Sequence, residues 1–179
     1  VTRAEALDVH FTVDGKDRYD VHFDMRHRAG HASGGRFPTM GEAGNLPSGE
    51  CYIVPYEGEG EETSQSEGVL PVQLNDEVVI YRIARNKAVE VLSQGRLSAG
   101  EAQRIKDEPA YANIAELGFG VLKDFGLGPV GVTLLDEKLG LHIAFGRSDH
   151  FGGAVGVKDF SSPAAVIHID RIYIPETAP

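Results

Sequence analysis

The chain has a single cysteine, Cys51. One thiol excludes an internal disulfide framework and suits a reducing, cytoplasmic compartment. Tryptophan is absent. No apolar run approaches the roughly 20 residues of a membrane-crossing helix, so a membrane is not an expected partner. Basic stripes are missing too. With 17 basic residues against 27 acidic ones the net charge is −10, which argues against nucleic acid as a partner. There is no signal-peptide pattern, no heptad run and no internal repeat. The expected partner is a peptide or another small-molecule substrate, and a homodimer stays open.

What is present suits one compact domain. The 179 residues suffice for a sizeable core, and 41% hydrophobic with 25% charged residues is an ordinary globular balance. Leu7 to Val13 and Tyr19 to Phe23 alternate like antiparallel strands around the turn Asp14-Gly15-Lys16-Asp17. Further strand-like runs are Cys51 to Pro55, Val69 to Leu74, Val78 to Ala84, Ile114 to Val121, Leu141 to Phe145 and Val166 to Ile174. One clear helix is expected from an N-cap at Ser98, with Glu101 in the capping-box position, to about Glu108 before Pro109. A second short helical piece is expected near Leu134 to Leu139. The fold class is therefore α+β, a single domain dominated by mostly antiparallel β-sheet with a few short helices.

Two segments stand apart. Arg26 to Gly49 is a long loop rich in Gly and His, and loops of that length inside a compact domain are usually functional or disordered. It delivers Glu50 and is expected to lie along the rim of a site, with His27 and His31 as solvent-exposed residues or substrate contacts. The second segment, Gly146 to Gly156, is a glycine-rich loop between two strands.

Five residues form a candidate metal shell: Glu50, Glu116, His142, His168 and Asp170. In the run Ile167-His168-Ile169-Asp170-Arg171, a strand points His168 and Asp170 to one side and the isoleucines to the other. An imidazole beside a carboxylate suits a cation that accepts nitrogen and oxygen, such as zinc. Glu116 lies in Ile114-Ala115-Glu116-Leu117-Gly118-Phe119, where a lone carboxylate is costly to bury unless paired or metal-bound. Each position has a plainer reading on its own: His168 and Asp170 as a solvated strand face, His142 as a core histidine, Glu50 as a surface residue opening a strand. The set is stronger than its members.

These residues sit in motifs that resemble a known family. Asn45-Leu46-Pro47-Ser48-Gly49-Glu50 resembles the Asn-Leu/Met-Pro-x-Gly-Glu motif of the thermophilic-type metallo-aminopeptidases, the aminopeptidase T and aminopeptidase S group. Ala115-Glu116-Leu117-Gly118 resembles the segment carrying that family's second acidic ligand. Leu135-Asp136-Glu137 through His142-Ile143-Ala144-Phe145-Gly146 is similar to its Phe-Asp-Glu-Asn…His-Ile/Leu-Ala-Leu-Gly segment, and Ile167-His168-Ile169-Asp170 to its closing Ile-His-Val-Asp. The resemblance covers roughly Gly44 to Ile174. It implies a two-metal aminopeptidase, a hydrolase and exopeptidase with zinc as the leading metal and cobalt, manganese or iron as others. All five residues would be ligands, with Glu50 or Glu116 shared between the metals.

Two departures follow from the same resemblance. The family has a tyrosine seven residues after the first histidine, where this chain has Asp149 followed by His150. His150 is then the expected catalytic hydrogen-bond donor, with Asp149 orienting it or turned away. The family also carries a long domain before its first motif, and this chain opens on Val1. The expectation is that residues 1–179 are a metal-binding catalytic domain from the C-terminal part of a longer protein. The competing readings are a ring-cleaving dioxygenase of the dihydroxypyridine type, with one ferrous ion on His142, His168 and Asp170, and a non-catalytic domain of the same fold.

Overall fold

The computed structural model describes residues 1–173. Alternating apolar residues fold these into two antiparallel five-stranded sheets, an α+β arrangement dominated by sheet. The first sheet holds β1 (Ala6–Val13), β2 (Asp17–Asp24), β5 (Glu67–Leu74), β6 (Glu77–Ala84) and β7 (Lys87–Val91), in the order β1-β2-β5-β6-β7. The second holds β3 (His31–Ser33), β4 (Glu50–Ile53), β8 (Ile114–Gly120), β9 (Leu141–Gly146) and β10 (His168–Tyr173), in the order β10-β9-β8-β4-β3.

The two sheets share one core. Val21, Phe23, Leu70, Val79 and Tyr81 from the first meet Ile53, Ile114, Leu117, Ile143 and Phe145 from the second. Tyr81 and Phe145 bring their ring centroids to 5.3 Å across the gap, and the Tyr173 hydroxyl donates to the Pro71 carbonyl at 2.8 Å. The first sheet thus backs the second, whose other face is left for chemistry. No helix among the described residues is long and apolar enough to cross a membrane.

Two strands escape the sequence pattern, β3 and β7. β3 is three residues long inside the long loop Arg26 to Gly49, and β7 is a short edge strand whose pairing with β6 is broken by a bulge at Arg82/Ile83. The expected last strand ends on Ile174, which lies outside the described residues.

The helix also needs a correction. It runs Arg96–Asp107 (α1), three residues earlier than the Ser98 cap implies. Its cap comes from another strand. The Glu77 carboxylate accepts from the backbone N–H groups of Leu97 at 2.9 Å and Ser98 at 2.7 Å, and from the Ser98 hydroxyl at 2.5 Å. Gly95, at φ 153°, makes room, since a β-carbon there would lie 2.4 Å from that carboxylate. Glu101 is therefore released from the capping box. It turns inward and accepts hydrogen bonds from the hydroxyls of Tyr81 at 2.8 Å and Tyr111 at 2.5 Å. Propensity reads a local cap, whereas a carboxylate across 20 residues satisfies the same orphan N–H groups.

Candidate metal centre

Strand register decides which side chains meet. Residues directly opposite in an antiparallel pair share a face. In the second sheet Glu50 faces Gly120, Tyr52 faces Gly118, and Gly118 faces His142. Glu116 and Asp170 both face Ala144, and Ile172 faces His142. Glu50, Tyr52, Glu116, His142, His168 and Asp170 therefore project from one face, contributed by β4, β8, β9 and β10.

Glu116 reaches that face only through a bulge. The β8–β9 register slips between Ile114 and Glu116, from Ile114 opposite Phe145 to Glu116 opposite Ala144. In a regular strand Glu116 would follow Ile114 into the apolar core. The extra residue turns it to the opposite side, the re-aiming that bulges beside functional sites provide.

The five side chains close on one another. Glu116 divides its oxygens between the histidines: Oε1 is 3.4 Å from His142 Nε2, and Oε2 is 3.0 Å from His168 Nε2. His168 Nε2 is 3.6 Å from Asp170 Oδ1, and Glu50 Oε2 is 3.7 Å from His142 Nε2. The tightest group is Glu116, His168 and Asp170, with ligand atoms all within 4.8 Å. Two donors on one tetrahedral ion at about 2.0–2.1 Å each would stand roughly 3.4 Å apart. The observed pairs bracket that spacing.

The far nitrogen of each histidine is committed elsewhere. His142 Nδ1 donates to the Glu137 carbonyl at 3.0 Å, and His168 Nδ1 to the Arg147 carbonyl at 2.6 Å. Such bonds orient a ligating imidazole and leave Nε2 for the cation. Glu50 Oε2 is buried without a hydrogen-bond partner among the described residues. A buried carboxylate oxygen left unpaired is costly, and a cation beside it removes the cost. The donors of Glu116, His168 and Asp170 thus have the spacing and chemistry of a divalent metal site, and Glu50 and His142 lie beside that group without joining it.

Without a cation, protons balance the carboxylates. Burial would lower the His168 pKa, but Asp170, Glu116 and the Arg147 carbonyl outweigh it and raise it to about 10. Burial would raise Glu116, but hydrogen bonds from His142 and His168 bring it down to about 2. His142 is likewise raised against burial, first by Glu116.

Lys138 is a member of the site that motif reading passes over. It is buried, donates to Glu50 Oε1 at 2.6 Å, and also donates to Glu137 Oε1. Burial would lower its pKa, but these two carboxylates raise it, so it stays charged. It rides on a tight turn, Glu137–Leu139, that crosses over Gly120, where a β-carbon would lie 2.0 Å from the Lys138 backbone. The Asp136-Glu137-Lys138 run in the sequence was the available signal.

These groups floor a cavity of about 500 Å³. Its lining includes Glu50, Tyr52, Glu116, Glu137, His142, His168 and Asp170. The long loop supplies one wall, from Ala32 through Phe37 and from Glu42 to Asn45. His31 stacks on Tyr52 at 5.2 Å, and His27 lies edge-on to Tyr56 at 5.3 Å.

Phe151 lines the cavity, and His150 is not among the lining residues. The His150 ring lies 4.0 Å from Phe151 and 5.0 Å from the His168 ring. Burial, then His168 and Arg147, lower its pKa, which favours the neutral imidazole. Asp149 pairs with Arg147 Nε at 2.5 Å and lies 3.7 Å from His150 Nδ1.

No protein-family model matches this chain, and no curated protein matches it.

Proposed function

We propose that this protein is a metal-dependent hydrolase of the aminopeptidase type with two divalent metal ions, zinc foremost, held by Glu50, Glu116, His142, His168 and Asp170. The observation that carries the reading is Glu116, one oxygen toward each histidine. A carboxylate placed in that way is the natural group to share between two ions, which supports Glu116 over Glu50 in that role. Bound metals would lower the pKa of water and polarise an amide carbonyl.

The chain's own residues supply the rest. Glu137 lines the cavity and is anchored by Lys138, in reach to take a proton from attacking water and return it to the departing amine. Burial pushes its carboxyl up, toward the range where a base works near neutral pH. The cavity wall and floor carry Glu42, Glu50, Glu116, Glu137 and Asp170 against one Arg36. Two divalent ions and Lys138 would cancel that charge at the floor, and Glu42 on the wall, outside the ligand set, is the carboxylate that suits a substrate ammonium, the free N-terminus of a peptide. That favours an exopeptidase, and the ordered motifs resembling the metallo-aminopeptidases support the same class.

The dioxygenase reading uses only His142, His168 and Asp170. It leaves Glu116 between two histidines and the bare Glu50 oxygen without a purpose. A reducing, cytoplasmic setting belongs to the same proposal and rests on the free thiol of Cys51.

The test is metal analysis of purified protein with amide hydrolysis on amino-acyl anilides. About two equivalents of zinc, cobalt or manganese with release of the N-terminal residue is expected. One equivalent of iron with oxygen uptake on a dihydroxypyridine would transfer the protein to the dioxygenase class.

A further inference from the structure

The cavity is rich in acceptors and poor in donors. Its floor is carboxylate, and the two histidine Nε2 atoms face Glu116. Ser33, on the wall, is already paired with Ser48 at 2.5 Å. Hydrolysis of an amide creates negative charge on the carbonyl oxygen, and an ionised carboxylate cannot donate a hydrogen bond to it. A neutral or cationic donor near the ligands would share that charge with the metal ions of the proposed hydrolase.

Tyr52 offers such a donor. It is two residues beyond Glu50 on the same strand and directly opposite Gly118, so its side chain leaves the sheet on the ligand face, unobstructed by its cross-strand neighbour. Its ring is clamped between His31, stacked at 5.2 Å and 19°, and Phe151 at 4.8 Å. Its hydroxyl has no hydrogen-bond partner among the described residues, and the side chain lines the cavity beside Glu50, Glu116 and His142. A stiff ring with an uncommitted O–H, held by two aromatic neighbours, is a preorganised donor. Arg36 and Asn45 also line the cavity, but both are exposed residues of the loop wall.

We propose that the Tyr52 hydroxyl is a catalytic hydrogen-bond donor to the tetrahedral oxyanion formed during amide hydrolysis. The role rests on the hydrolase reading above. Water oxygen bonds to the carbonyl carbon, its proton passes to Glu137, and the carbonyl π pair moves onto oxygen, where Tyr52 donates. The pair then returns, the C–N bond breaks, and the proton from Glu137 goes to the amine nitrogen. Products are a carboxylic acid and an amine, with Tyr52 unchanged.

The test is Tyr52→Phe in the zinc-loaded full chain, because it keeps the ring between His31 and Phe151 and removes only the hydroxyl. For hydrolysis of an amino-acyl anilide, kcat should fall roughly 10²–10³-fold with KM little changed. Calorimetric affinity for an α-aminoalkylphosphonate, a stable tetrahedral anion, should weaken roughly 10- to 100-fold. Zinc content and melting temperature should match wild type. Equal kcat and equal phosphonate affinity in the two proteins would overturn the role of Tyr52 and leave the hydrolase standing. A wild type that binds no phosphonate would overturn it as well. A protein that cleaves no amide, yet binds the phosphonate more weakly as Tyr52→Phe, would overturn the hydrolase and with it the catalytic role, leaving Tyr52 a donor to a bound anion.

Discussion

His142 stands directly opposite Gly118 in the β8–β9 ladder, and its imidazole fills the space a side chain at 118 would need. A β-carbon on residue 118 would lie 1.8 Å from His142 Nε2, far inside van der Waals contact. The nitrogen that faces Glu116 thus has its place because the residue across the strand has no side chain. Gly118→Ala should push the ring off Glu116 and weaken zinc binding by at least the roughly 10- to 100-fold seen when a ligand loses its support. Competition against a chromogenic chelator measures this, and an unchanged zinc affinity would show that His142 Nε2 is not a ligand.

Glu116→Gln keeps the volume of the side chain and removes its charge. The substitution should reduce bound metal from two equivalents to one or none, since a carboxamide is a poor shared ligand. It should also let the His168 pKa fall from its raised position, because Glu116 is among the groups that hold it up. Metal analysis and imidazole resonances in the metal-free protein report the two effects separately. Retention of both ions would move the bridging role to Glu50.

The metal-free protein should show a definite pH dependence. His168 is raised from 6.5 to about 10 in the folded state. Its contribution to stability is fully present below about pH 6.5 and is lost as pH rises through about 10. Glu116 is lowered from 4.5 to about 2, so its contribution is present above 4.5 and lost as pH falls through about 2. Chelated protein should therefore lose melting temperature steadily from neutral pH to about 10, and His168→Gln should flatten that slope. An identical slope in the variant would assign it to other groups.

Lys138→Met exchanges a buried ammonium for an apolar chain of similar length. Glu50 and Glu137 would be left buried without their shared cation, a loss of roughly 3–5 kcal/mol for a broken buried pair. Saturating zinc should restore part of that loss, because a cation near Glu50 takes over some of the compensation. Urea unfolding with and without zinc tests the coupling. A loss that zinc leaves untouched would make Lys138 a purely structural residue.

Much of this arrangement is written locally. The two-residue period of β1, β2, β6, β9 and β10 is visible in the chain, as is the α+β class. The same period puts His168 beside Asp170 on one side of β10. The apolar setting of Glu116 signals a carboxylate in need of a partner. Other features are invisible at that range. The α1 cap comes from Glu77 on β6, so the local Ser98 signal misplaces the helix start by three residues. β7 and β3 exist because neighbouring strands offer unpaired edges, which no propensity records.

The sequence by itself determined which faces its strands would present and which residue types could bind a cation, because alternation and side-chain chemistry are properties of short runs. Only the tertiary structure decided that Glu116 leaves the core through a one-residue slip against β9, and that Gly118 yields its space to His142. It also seated Lys138 between Glu50 and Glu137 and pointed Tyr52 into the cavity. Each of these is a relation between strands far apart in the chain, fixed by register and by the packing of two sheets on one core.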